Sequence, residues 1–272
     1  MPRTAHLRES RFQLLATLLS WEGELRNGRL QDLLGISSVQ ASRLIAQFRS
    51  EYPAVLENDV AQKRWIQVGA TPTAGGIENY LATLEAHEPW FEDGRIDFLI
   101  PDRAVFAVVR AACVARTGLD LTYASLSHPK GQKRLLYPHT VVRLSQRWHV
   151  RAWCTQRATY ADFTMGRMTR VRPTTGPSPS LPTDEDWDQH IDVRLGAHSA
   201  LSVEHEQVVR AEYFSGTAAR RLRVRRALVN YVVHEIRAAT EPHRQLPPEY
   251  LLEVLNVKEL RHCLFPRTHE ID

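Results

Sequence analysis

Long hydrophobic runs are missing from this 272-residue chain. No stretch approaches the roughly 18 apolar residues that a membrane span requires. The opening residues Met1, Pro2, Arg3, Thr4, Ala5 and His6 lead into an amphipathic segment rather than a secretory core. Cysteine is scarce: Cys113, Cys154 and Cys263 are odd in number, widely spaced and without a paired motif. That pattern argues against a disulfide framework or a zinc knuckle and fits buried thiols in a reducing compartment. The chain also lacks catalytic signatures. Gly75 and Gly76 are not followed by the Lys and Ser of a phosphate-binding loop, and neither a nucleophile elbow nor a metal-binding His and carboxylate spacing occurs. Ser125 and His139 could serve as nucleophile and base, but serine and histidine pairs this far apart occur in most proteins. The expectation is a cytoplasmic protein with no membrane partner, no metal, no cofactor and no enzymatic activity.

What is present is a concentration of charge. Residues 110–172 carry 12 Lys and Arg against 2 acids, although the whole chain is only +4. Residues 69–109 hold 2 basic and 7 acidic residues, and residues 173–272 hold 12 and 15. Acidic segments therefore bracket a basic centre, the pattern of a local binding surface rather than of general solubilising charge.

The N-terminal part reads as helices. Phe12, Leu14, Leu15, Leu18 and Leu19 recur at helical spacing, with Ser10 as N-cap. Asn27 and Gly28 interrupt, Leu30, Leu33 and Leu34 mark a short second helix, and Gly35 stops it. Ser37 then caps a third helix that buries Ala41, Leu44, Ile45 and Phe48. Its outer face shows Ser38, Gln40, Ser42, Arg43 and Gln47. Strands at Ala54 to Leu56 and Trp65 to Val68 flank a hairpin carrying Lys63 and Arg64. This is the pattern of a winged helix-turn-helix, with Gln and Arg able to read base edges and the wing cations placed for phosphate or the minor groove. A three-helix bundle used for protein contact is the plainer alternative. A module of only +2 binds a single site weakly, which argues for a dimer reading two half-sites.

Residues 71 to 76 are rich in Thr, Pro and Gly and read as a linker. A helix is expected from Ile77 to Glu88, and another from Pro101 with Gly118 as its C-cap. Short strand-like runs follow at Leu119 to Ser125, Arg134 to Tyr137, Thr140 to Leu144, Arg147 to Cys154 and Asp162 to Arg172. A tight turn at Ser145 and Gln146 separates two of them. Several short antiparallel strands over about fifty residues imply a small barrel.

The residues of this barrel carry a resemblance. Tyr123 with Ser125, Arg134, the Pro138 and His139 pair, the strand from Arg147 to Trp153 and the strand from Asp162 to Met168 resemble the WYL-domain regulators. Within that family the chain is similar to the homodimeric repressors that sit beside bacterial anti-phage systems of the BREX and CBASS kinds. The family's naming triplet is Trp148, His149, Val150 here, so an imidazole stands in place of a phenol. The resemblance implies an α+β chain: winged helix-turn-helix, SH3-like WYL β-barrel and small C-terminal α/β dimerisation domain, in that order. The boundaries expected are 1–70 for the winged helix, 71–118 for a helical linker, 119–172 for the barrel with its preceding helix 101–117, 173–183 for a second linker and 184–272 for the extension. It further implies a nucleic-acid or nucleotide ligand held by Tyr123, Ser125, Arg134, His139, Arg151 and Arg167. Physical chemistry agrees, because guanidinium forks bind phosphate oxygens bidentately and Tyr123 or Trp153 offers a stacking face. The plainer alternative makes Arg151 and Arg167 solvated charge on the barrel exterior, with the pocket reading preferred for both, and Tyr123 and His139 satisfied core residues.

In the C-terminal part, Gln207 to Phe214 reads as a strand, Thr217 to Ile236 as a long helix, Leu251 to Val257 as a last strand, and Glu259 to Cys263 as a helix. The run Arg220, Arg221, Leu222, Arg223, Val224, Arg225, Arg226 is best read as a solvated face or as partners of neighbouring acids. The expected function is a homodimeric repressor of an anti-phage operon, which reads an inverted-repeat operator in double-stranded DNA and is released by its nucleotide effector. The alternative is a nucleic-acid-binding accessory or processing protein in which the winged helix only docks.

Overall fold

The structure is a computed structural model and describes residues 2–264 apart from 72–73, 85–89, 96–98 and Gln146. It divides into two compact units, residues 1–95 and 96–272.

In the first unit, α1 (Pro2–Glu22) is followed by β1 (Glu24–Leu25), α2 (Asn27–Leu34), α3 (Ser38–Glu51), β2 (Leu56–Asp59), β3 (Arg64–Gln67) and α4 (Ile77–Leu81). Ser10 lies inside α1 rather than capping it: Pro2 suits a first turn, Leu7, Arg8 and Glu9 favour helix, and Arg8 pairs with Glu51. Gly35 ends α2 at φ 60, in the left-handed conformation that glycine adopts without steric cost. Ser37 starts α3 through a capping box, its hydroxyl accepting from the Gln40 N–H while the Gln40 side chain accepts from the Ser37 N–H. Phe12, Leu15, Leu19, Leu30, Ile45 and Phe48 close one core between the helices. β2 and β3 form the expected hairpin, displaced by a residue or two, and β1 pairs outside β3 to make a third strand. Turns follow α4 as far as Leu84, so the helix expected to reach Glu88 is shorter; residues 85–89 lie outside the described residues, as do Pro72 and Thr73 of the predicted linker.

The second unit begins with α5 (Arg103–Ala115), whose N-terminus is capped by Asp102. Its C-terminus is capped by Arg116 at φ 55 and not by Gly118. Gly118 instead lies in a strand where a Cβ would come within 2.8 Å of the Tyr137 ring and the Thr174 hydroxyl, so the glycine serves close packing. β4 (Thr117–Tyr123), β5 (Gln132–Arg143), β6 (Trp148–Cys154), β7 (Thr159–Thr164) and β8 (Met168–Pro177) form one antiparallel sheet in the order β7-β6-β5-β4-β8. Two expected strands, Arg134 to Tyr137 and Thr140 to Leu144, are the single β5. Its register against β6 shifts between Pro138 and Thr140, a bulge that re-aims His139. Gln146 of the predicted turn is outside the described residues. α5 covers the sheet, and Val109, Leu119, Leu136, Val150 and Phe163 are buried between them.

The chain continues through α6 (Glu185–Asp188), β9 (His190–Ala197), α7 (Val203–Phe214), β10 (Ala219–Arg225), α8 (Val229–Glu235), β11 (Ala238–Ala239), β12 (Leu252–Val254) and α9 (Val257–Leu260). A four-stranded sheet, β10-β9-β12-β11, packs on α7, α8 and α9 around Val193, Leu195, Phe214, Val229 and Leu260. Two expectations fail here. Gln207 to Phe214 is helix, because Ser202 caps it, Glu204 and Glu206 sit in its first turn and Glu206 pairs with Arg210 one turn on. The Arg run is a strand: Leu222 and Val224 alternate with Arg221, Arg223 and Arg225, a period of two. The last strand and the final helical turn stand where expected.

Candidate functional site

Two groups of side chains carry the chemistry, one in each unit. In the first unit the apolar stripe of α3 is buried, which fixes the opposite face outward; Ser38, Gln40, Ser42, Arg43 and Gln47 are all exposed on it. Their freedom differs. Gln40 is committed to the capping box, and Ser42 accepts from the Asn27 amide at 2.7 Å, an anchor absent from the sequence reading. At the wing, Lys63 is exposed in the turn at φ 51. Arg64 is half-buried and donates to Asp59 at 2.9 Å and to Glu24 at 2.6 Å. These bonds hold both carboxyls below their ordinary values, Glu24 with Arg26 as its leading cause and Asp59 with Arg64. Arg64 therefore ties the hairpin to β1, and Lys63 is the more available wing cation.

In the second unit, Arg151 on β6 is 5% exposed, and its guanidinium grips Asp184 through two bonds, Nε to Oδ2 at 2.7 Å and Nη2 to Oδ1 at 2.9 Å. Asp162 approaches the same group at 3.4 Å. His139, placed by the β5 bulge, donates from Nε2 to Asp184 Oδ2 at 3.0 Å, with its ring between Tyr160 and Trp187. Tyr231 on α8 donates to the other oxygen of Asp162 at 3.2 Å. Burial pushes the Asp184 carboxyl up, but Arg151 and His139 outweigh it and hold it below the usual range. For Asp162 burial wins against Arg151 and Tyr231, and its carboxyl lies above the usual range.

Two of the six expected ligand residues, Arg151 and His139, thus converge on one buried carboxylate. Tyr123 stands edge-on to Phe163 and accepts from the Thr164 N–H at 3.2 Å. Ser125 is half-buried in the loop after β4, bonded to the His128 N–H at 3.1 Å. Arg134 borders a separate groove of about 520 Å³ with Lys133, Arg170 and Arg172. Arg167, in the turn before β8, adds positive charge near His149. Sequence reasoning missed Asp184 and Tyr231, one at the start of the predicted extension, just past the predicted linker, and one in the middle of a predicted helix. Of the Arg run, Arg221 and Arg226 meet Asp192 and Asp186, and Arg225 stacks over Trp187, in keeping with partnered charge.

The fold and these sites define a class: a winged helix, a WYL-type sheet with a covering helix, and a small α/β extension. Three family models match the chain in that order. They are the BrxR transcriptional regulator winged helix-turn-helix domain over residues 8–86, the WYL domain over 104–173, and the BrxR transcriptional regulator C-terminal dimerization domain over 190–260. The chain belongs to the WYL-domain transcriptional regulators, with outer domains of the BrxR kind. It is 27% identical to the DNA-binding transcriptional repressor CapW of Escherichia coli (strain KTE188), over 93% of this chain and 90% of the relative. It is 25% identical to the repressors of the same name from Pseudomonas aeruginosa, over 94% and 91%, and Stenotrophomonas maltophilia, over 93% and 91%. A solved chain of proteasome accessory factor B/C (PafBC) of Arthrobacter aurescens is 13% identical with a TM-score of 0.29, over 96% of this chain and 46% of that one.

Proposed function

We propose that the chain is a homodimeric transcriptional repressor. Two copies of α3 read an inverted-repeat operator in double-stranded DNA, and a nucleic-acid or nucleotide effector sensed in the second unit releases them. The observation that carries the DNA-reading role is α3 itself: capped, pinned by Phe48 and Ile45 in the core, and presenting Arg43 and Gln47 with no internal commitment among the described residues. A helix of this size fits the major groove, and such side chains bond base edges. Pairing through the extension would set the separation of the two reading helices and hence the half-site spacing. Relatives named as DNA-binding repressors over nearly the whole length support the same role. Control of an anti-phage operon is the biological setting the resemblance suggests.

An effector releases the operator only if it binds the DNA-free arrangement more tightly than the DNA-bound one, since equal affinity shifts nothing. The test is a gel shift with the DNA upstream of the protein's own gene. Binding to a defined palindrome at physiological salt, with loss on Arg43→Ala, is expected; failure to bind any palindrome there would sink the repressor reading.

A further inference from the structure

Arg151 and His139 are already satisfied by Asp184, which directs attention to cations with no such partner. Beside the network lies a groove of about 470 Å³ between the end of β5, the start of β6 and α8, lined by Arg147, His149, Tyr231, His234, Glu235 and Arg237 among others. Pockets of this volume take small ligands. Arg147 and Arg237 are exposed and make no ion pair or side-chain hydrogen bond among the described residues. In the same unit Arg151, Arg194, Arg210, Arg221 and Arg226 each meet a carboxylate. The single acid of the lining, Glu235, accepts the Ser145 backbone N–H at 3.0 Å. At the inner wall His149 is 6% exposed, and its Nδ1 is buried with no hydrogen-bond partner, a costly condition for a polar atom. Its ring lies 5.2 Å from that of Tyr231.

We propose that this groove is the effector site, and that it takes a phosphate group of a small nucleotide between Arg147 and Arg237. Two unpaired guanidiniums supply the planar forks that bind phosphate oxygens, and the His149 and Tyr231 rings form a wall for a base. None of the six residues first assigned to the ligand lines this groove. The occupant also has a route to the rest of the unit, because the Tyr231 hydroxyl bonds Asp162, which meets Arg151. This rests on the sensor reading above and gives it a location.

The test uses the full chain and two probes, inorganic pyrophosphate and the 5′-phosphorylated dinucleotide pApA, in isothermal titration. Arg147→Gln combined with Arg237→Asn removes both cations; asparagine is chosen because Arg237 sits at φ 50, a region it tolerates. Both positions are exposed, so an unchanged melting curve and an unchanged operator gel shift are expected controls. The expected result is that pApA binds the wild type and the double variant binds it at least about tenfold more weakly. Equal binding by the two proteins overturns the proposal, as does no binding of either probe to the wild type. If Arg134→Gln abolishes pApA binding while the groove variant does not, a sensor exists and the groove is the wrong place for it. If the groove variant weakens pApA binding but pApA never releases operator DNA, the site stands and the sensor reading falls.

Discussion

Removing the Asp184 side chain is the sharpest perturbation this structure offers. Asp184→Ala takes away the acceptor of both strong bonds of Arg151 and the acceptor of His139, leaving a buried guanidinium with the longer contacts to Asp162 at 3.4 Å and Asp186 at 3.9 Å. It also removes the cap of α6, whose Trp187 N–H lies 3.2 Å from the carboxylate. Breaking one side of a buried ion pair costs about 3–5 kcal/mol and loss of a helix cap about 1 kcal/mol, so the pair dominates. For a cooperative unit of this size each kcal/mol lowers the midpoint by roughly 2–4 °C, which places the expected fall between about 6 and 20 °C. Thermal unfolding followed by tryptophan fluorescence reads it, since Trp153 and Trp187 flank the network. The pH dependence has a defined sign. Asp184 titrates below its ordinary value, so its contribution is present above that value and is lost as acidification passes through the folded one. Asp162 titrates above its ordinary value, and Asp162→Asn should therefore cost clearly less than Asp184→Asn near neutral pH. A loss below about 1 kcal/mol for Asp184→Ala would refute the reasoning, because the network would then be an incidental contact.

Ser37→Ala removes half of the capping box of α3 and should destabilise the first unit by about 1 kcal/mol, read by urea unfolding, with a matching modest loss of operator affinity. Arg43→Ala should leave stability within about 0.5 kcal/mol and weaken operator binding about tenfold or more; if it meets phosphate rather than a base edge, the salt slope should fall by about one. His149→Phe should be neutral or stabilising, since it removes a buried nitrogen that has no partner. Burial first, then Arg147 and Arg167, push the His149 imidazole down to about 4, so wild type should lose stability as pH falls from 6.5 toward that value. That loss is bounded near 3 kcal/mol, less whatever solvent reaches the ring, and should disappear in the phenylalanine variant on acid melting curves.

Much of the first unit was legible in the sequence, because its signals are local. A stop at Gly35, a cap at Ser37 and an apolar stripe through Phe48 are each set within a few residues, and the structure keeps all three. The second unit was legible where strands alternate cleanly, as from Trp148 to Cys154. It misled where the pattern was ambiguous: Val208 and Val209 are adjacent, so alternation there separated nothing, and the caps decided for helix. The network was illegible for a different reason. Arg151 meets a residue 33 positions away and Asp162 one 69 positions away, and no local spacing announces such partners. Asp184 follows directly on the Pro-, Ser- and Thr-rich predicted linker and opens an acidic stretch, so nothing local marks it, and its burial comes wholly from the fold.

The position of Asp184 along the chain has a kinetic and thermodynamic meaning of its own. It follows the last residue of β8, Pro177, by only seven positions. A carboxylate tethered so closely is presented to Arg151 at an effective concentration on the order of millimolar or higher, whatever the solution around it contains. Stray phosphate and carboxylate metabolites must outcompete that internal occupant before they touch the buried arginine. The tether thus works as a filter, insulating the heart of the unit from the background of anions.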